Sequence, residues 1–325
     1  MSKHPVRRHK ADDARKRAWP LAPILLAACL LFACSSFFGK DDPPAAAQGG
    51  APAVQSQALP EGAPAKDGKI PGEDQYLKGY YAAAFPPIAT AYQGGNVRAA
   101  FYMRIMLQYG LHGQPPNPAE AERAARVMVA RYADIQRLAK SGPLDLRPLY
   151  HTALAYLSYN ALIPGKERDV SLAAGEAGYA VSDGFLPAYN LYAHIACNEG
   201  SGILGFLSLS KGSCFSTTSK AAGASDLLAM GNLSYLFREG VGTDKDPMRA
   251  ANWAHIAANK IPPSPRAQND MGYFYETGAS VTKDLAEAKR YYGLAEARYP
   301  LAKRNLERLN KGGAGTPAIS NEIDY

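Results

Sequence analysis

The chain has 325 residues and a formal net charge of +7. The surplus is local: residues 1–17 hold seven Lys and Arg against Asp12 and Asp13, a surplus of five, which leaves two for the rest. Basicity confined to one end marks a targeting segment, so the charge gives no support to nucleic-acid binding.

The first predicted element is that segment. After the basic stretch comes an apolar run, Ala18 to Phe38, interrupted by Pro20, Pro23 and small residues. Basic, then apolar, then small residues is the order of an export signal. Leu26-Ala27-Ala28-Cys29 looks like a bacterial lipobox, in which the cysteine is lipidated. Leu31-Phe32-Ala33-Cys34 is a second candidate, weaker at Phe32 but followed by Ser35-Ser36. The competing reading is an uncleaved anchor, since 21 residues are enough to cross a hydrocarbon core of ~30 Å. On either reading the remainder is expected outside the cytoplasm, tied to a membrane.

Residues 39–71 form the second element, rich in Ala, Gly, Pro and Gln. Such composition cannot offset its own ordering entropy, so a disordered linker is expected. As a flexible coil it would reach on the order of 30 Å.

From about Gly72 to Asn310 one frame recurs: small, large apolar, small, aromatic or apolar, then Gly. Ala99, Met103, Leu107 and Gly110 open it, with Arg104 at a small site. Their second segment is Asn117, Ala121, Ala124 and Met128. Ala153, Leu157, Ser158 and Ala161 follow, paired with Asp169, Ala173, Glu176 and Ala180. A third copy is Ala188, Tyr192, Ala193 and Ala196. The last two copies are strict. Ala229, Leu233, Ser234, Phe237 and Gly240 return 38 residues later as Ala267, Met271, Gly272, Tyr275 and Gly278. Asp246, Ala250, Trp253 and Ala257 return at the same shift as Asp284, Ala288, Tyr291 and Ala295. The spacing within each segment is helical. Gly240 and Gly278 stand where a first helix must stop, and Asp246 and Asp284 where a second must be capped. Five helix pairs with partial caps are expected, stacked because no single pair can bury its own apolar faces. Residues 311–325 are expected to be a disordered tail.

This frame resembles the Sel-1-like repeat family, a branch of the tetratricopeptide-type solenoids. Ala267 to Gly278 (AQNDMGYFYETG) carries the likeness best, supported by Lys220-Ala221-Ala222 and by Trp253 to Ala258. The resemblance implies an all-α, right-handed superhelical solenoid of antiparallel helix pairs with a protein–protein interaction surface. It names no partner.

Cys197 and Cys214 are the two cysteines outside the export segment. An even pair in an exported domain suggests a disulfide, with two buried free thiols as the alternative. Cys214 is expected in an irregular Gly- and Ser-rich stretch, Gly200 to Ser219, leading into the second helix of its unit. No metal, cofactor or enzymatic role is expected. His112, His151, His194 and His255 form no HExxH pair and have no ligand neighbours at metal spacing. There is no G-x-S-x-G, phosphate loop or dinucleotide turn.

If first helices line the concave face, residues next to the packing positions point into a groove. One column, six places after each frame-opening Ala, reads Ile105, Tyr159, His194, Tyr235 and Tyr273. Three places on, a second reads Gln108, Leu162, Cys197, Arg238 and Glu276. Tyr159, His194, Tyr235, Arg238, Tyr273 and Glu276 are the candidate binding residues, Tyr and Arg being common hot spots. The alternative is that these rings are simply core. The functional expectation is a periplasmic, membrane-tethered scaffold for envelope proteins, by resemblance one that supports an exopolysaccharide secretion complex. An outer-membrane lipoprotein is favoured, with the inner membrane left open. A glycan or peptidoglycan binder is the second reading and an envelope hydrolase the third.

Overall fold

The computed structural model describes residues 68–200 and 209–325. The export segment, with Cys29 and Cys34, and nearly all of the expected linker lie outside the described residues.

Among the described residues there are fourteen helices and no strand. Two helices open the array, α1 (Glu73–Leu77) and α2 (Tyr81–Gln93). The first pair is α3 (Val97–Tyr109) with α4 (Pro118–Ala130), followed by a lone α5 (Tyr132–Ser141). The second pair is α6 (Arg147–Tyr159) with α7 (Val170–Ser182), and the third is α8 (Leu186–Glu199) with α9 (Lys211–Gly223). The fourth is α10 (Leu227–Glu239) with α11 (Pro247–Ala258), and the fifth is α12 (Pro265–Thr277) with α13 (Leu285–Ala295). Helix α14 (Pro300–Asn310) closes the stack as a lone first helix. Each helix packs on the next along the chain, as a solenoid requires. The all-α solenoid of helix pairs read from the repeat is the observed architecture.

The local chemistry explains the boundaries. Gly240 and Gly278 end α10 and α12 at φ 73° and 76°, a region that costs other residues strain. Asp246 accepts from the Arg249 amide, and Asp284 from the Ala286 and Glu287 amides, so each carboxylate caps its second helix. Asp226 and Ser264 cap the first helices of the same two units. The small positions are the contact points: Ala229, Ala250, Ala254, Ala257, Ala267, Ala288 and Ala295 are completely buried.

One such contact yields a sharp test. A Cβ on Gly272 would stand 2.5 Å from Cδ1 and Cε1 of Tyr292. That ring is fully buried, and its hydroxyl donates to Glu276 at 2.9 Å, so it has nowhere to retreat. At the 38-residue shift, unit four has Ser234 in place of Gly272 and Ala254 in place of Tyr292. Gly272→Ser should therefore destabilise by about 1–3 kcal/mol through overpacking. In a Tyr292→Ala background it should cost far less. Denaturant midpoints of the four chains measure that coupling, and additive effects would contradict it.

Three segments differ from the sequence reading. Helix α5 carries no repeat frame and was not expected; it holds its place by burying Ile135, Leu138 and Ala139, one face at i, i+3 and i+4 spacing. Residues 211–219, expected to be irregular, are the first part of α9. Poor intrinsic propensity is overridden there by the Ser210–Ser213 capping box and by burial of Cys214, Thr217, Thr218, Ala221 and Ala222. Cys214 thus sits inside the second helix, and it is bridged to Cys197 of α8. The third difference is the segment expected to be a disordered tail. Residues 318–325 instead lie against the first helices: side chains of five of these helices donate to the segment's main chain, and the Tyr325 hydroxyl donates to Asn160, just past α6.

Candidate functional site: a groove of first helices

The first helices α3, α8, α10, α12 and α14 each send polar side chains to residues 318–325, while α6 meets Tyr325 through the Tyr156 and Tyr159 rings and through Asn160, the residue that follows it. Six helices side by side at 8–10 Å spacing would span roughly 40–50 Å if laid flat. Eight residues extend at most about 26–29 Å. Long side chains make up part of the difference, and the rest requires the first-helix faces to converge on the segment.

The site is built around main-chain recognition. Asn305 of α14 donates through Nδ2 to the Ala318 carbonyl at 2.7 Å, and its Oδ1 accepts from the Ala318 amide at 2.6 Å. Asn232 of α10 does the same to Asp324, with both distances 2.9 Å. Each amide side chain therefore satisfies both polar groups of one residue, as a neighbouring strand would. Asn269 of α12 adds a bond to the Ala318 carbonyl at 3.3 Å. Asn232, Asn269 and Asn305 are all fully or almost fully buried, so these bonds are made in a weakly screened setting.

Arginines supply the rest of the grip. Arg238 of α10 donates to the Ser320 carbonyl and to Asn321 Oδ1, both at 2.8 Å. Its guanidinium lies over the Tyr235 and Tyr273 rings, 5.4 and 5.9 Å from their centroids. Arg266 of α12 donates to the Glu322 carbonyl at 2.6 Å and to Asn232 Oδ1 at 3.1 Å, and it pairs with Asp324 at 2.8 Å. Burial works against the Arg266 charge, but Asp324 and Asp270 outweigh it and hold its pKa above the usual value. Burial likewise pushes the Asp270 carboxyl up, while Arg266 and Arg238 pull it back.

Tyr325 ends in a pocket of rings. Its hydroxyl donates to Asn160 Oδ1 at 2.9 Å, and its ring lies 4.1 Å from His194 and edge-on to Tyr159 at 5.9 Å. Tyr109 of α3 brackets its backbone, donating to the carbonyl at 2.8 Å and accepting from the amide at 2.9 Å. Arg104 donates to the same carbonyl at 3.2 Å and covers the Tyr156 ring.

His194 is bonded through both ring nitrogens. Nδ1 donates to the Ile323 carbonyl at 2.8 Å, and Nε2 accepts from Asn198 at 2.9 Å. Burial draws its pKa below the ordinary value, against the bond to Ile323. His112, stacked on Phe85, is drawn down by burial in the same way, against its bond to Met106. A histidine depressed in the folded chain binds its proton first in the unfolded chain. Stability should therefore be level above about pH 6.5 and fall as pH drops below it. Melting midpoints across pH 5–8 test this, and His112→Gln should flatten part of the slope.

The sequence-predicted residues divide cleanly. Tyr159, His194 and Arg238 touch residues 318–325. Tyr235 and Tyr273 lie beneath Arg238, half-buried. Glu276 instead pairs with Arg308, which carries the carbonyl of Gly313 at 3.0 Å. Ile105, from the first column, is core. Cys197, from the second, is in the disulfide. The columns missed Arg104, Tyr109, Asn160, Asn232, Arg266, Asn269 and Asn305. Two of them share a signal, a polar residue on a first helix one turn after the packing Ala: Asn232 follows Ala229 by three, and Asn305 follows Ala302 by three.

The Sel1 repeat family model matches residues 97–123, 227–260 and 265–298, covering the first pair in part and the fourth and fifth pairs fully. Similar solved structures include a Sel1 repeat protein from Oxalobacter formigenes, 20% identical, covering 77% of this chain and 67% of that one, with a TM-score of 0.44. Another is c5321, a protective antigen of uropathogenic Escherichia coli displaying an SLR fold. It is 21% identical and covers 74% of this chain and 48% of its own length, with a TM-score of 0.46. The comparison with curated proteins finds no match.

Proposed function

We propose that this chain is a membrane-tethered envelope scaffold that binds other proteins through its first-helix groove. The chain carries Sel1 repeats, which are generally interaction modules and typically not catalytic. One observation carries the reading: the groove already holds a protein segment, with buried asparagines paired to its main chain. A surface built that way suits polypeptide, since it spends its polar groups on amides. The tether would be lipid on Cys29, or on Cys34, placing the solenoid in the periplasm, with an outer-membrane position favoured. Support for an envelope or exopolysaccharide secretion complex is the specific role we favour. The second reading is a glycan ligand, for which the half-buried Tyr235 and Tyr273 rings are suitable stacking surfaces.

In-cell photo-crosslinking from positions 235 and 273 tests the proposal, with a probe at Met248, exposed on α11, as the control. A discrete envelope protein captured from the groove positions and lost at 248 is the expected result. Capture of glycan alone, or of nothing above the control, would overturn it.

A further inference from the structure

Residues 316–325 belong to no repeat, yet they fill the groove. We propose that this segment is a tethered stand-in for the groove's true ligand, which is an extended peptide carrying an apolar, an acidic and an aromatic residue in succession. The proposal rests on the reading of the first-helix face as the binding surface, and it adds that the chain's own segment must leave before a partner binds.

Most of the contacts do not depend on the segment's sequence. Asn305, Asn232, Arg266 and Tyr109 take main-chain groups, as does Arg238 at Ser320. Another polypeptide in the same path would satisfy them equally. Three adjacent side chains are read as well. Ile323 is buried, Asp324 meets Arg266, and the Tyr325 ring enters the pocket of Tyr159, His194 and Asn160. Arg238 is already paired with Glu239, whereas Arg266 takes its carboxylate from Asp324 of the segment, so the groove favours an acidic residue at that position.

The attachment allows exchange. Residues 311–315 read Lys-Gly-Gly-Ala-Gly, with Gly312, Gly313 and Gly315 at positive φ. The segment can swing away without unwinding α14. A ligand on a short flexible tether acts at a mM-scale effective concentration, so it blocks weak competitors and yields to a tighter one.

The probe is a fluorescent peptide of sequence TPAISNEIDY, residues 316–325 of this chain. Its affinity is measured for the full chain and for the full chain carrying Asp324→Arg and Tyr325→Ala. A second host, Asp324→Lys alone, is used as well, and circular dichroism checks that each is folded. The released hosts should bind the peptide at least about tenfold more tightly than the unaltered chain. Peptides with alanine at the Asp or at the final Tyr should bind them about tenfold more weakly. Equal binding to all hosts, or none to a folded released host, would overturn the proposal. Concentration-dependent dimers in place of a release effect would also overturn it, by assigning the segment to a second copy. If the peptide fails while crosslinking from 235 and 273 still captures a protein, the stand-in idea falls and the scaffold reading survives.

Discussion

Arg98→Met should destabilise the chain by about 3–5 kcal/mol, the cost of stranding one partner of a buried ion pair. Arg98 and Glu73 are 2% and 3% exposed. The Glu73 carboxylate accepts from Arg98, from the Tyr102 hydroxyl at 2.8 Å and from the Ile70 amide at 3.3 Å. Arg98 also donates to the Leu146 carbonyl at 3.4 Å and faces the Tyr150 ring. One side chain thus ties α1, α3 and the turn before α6. Methionine fills the volume but leaves the carboxylate without its cation. Arg98→Met with Glu73→Leu removes both charges and should recover most of the loss. Urea midpoints of the two single variants and the double complete the cycle. Additive losses, or a single-variant loss under about 1 kcal/mol, would show that the pair does not hold this end of the solenoid.

Cys197→Ala with Cys214→Ala should cost about 3 kcal/mol, the chain-entropy value for a loop of this length. The bridge closes 17 residues and joins α8 to α9. Helix α9 needs it more than the others do. Its first three turns hold Gly212, Ser213, Ser216, Thr217, Thr218 and Ser219, all poorer helix formers than Ala. Helix α9 is also the link to α10, so its loss removes the surface on which the last two units stack. In an array stabilised between neighbours, such a break uncouples the two sides. The double variant should therefore melt in two steps where the bridged chain melts in one. A single transition with an unchanged midpoint would contradict this.

The repeat was legible because its physics is local. A small residue must sit where helices touch, a carboxylate must cap, and a glycine must turn, so Ala267, Asp284 and Gly278 could be placed from spacing alone. Helix α5 was not legible, because a single amphipathic turn pattern outside the frame has nothing to be compared with. Helix α9 was misjudged for the opposite reason. Its composition argues against a helix, and the burial of Cys214 and Ala221 that overrides this is tertiary. The segment 318–325 was the hardest. Its own residues lack the apolar content to order alone, and its partners are dispersed from Arg104 to Asn305. Three residues that touch the segment stood in the two columns read from the sequence, Tyr159 and His194 in the first and Arg238 in the second. The rest of the groove was hidden because buried asparagines such as Asn232 resemble ordinary helix polar residues until a backbone is laid beside them.

Amide hydrogen exchange at Ala318, Asp324 and Tyr325 tests the central claim most directly. These three amides donate to Asn305, Asn232 and Tyr109 at 2.6, 2.9 and 2.9 Å. If the first-helix groove holds a peptide by its main chain, all three exchange far more slowly than an unstructured chain, and Asn232→Ala frees Asp324 first. Exchange at unstructured rates in the unaltered chain, with the helices still protected, would contradict it.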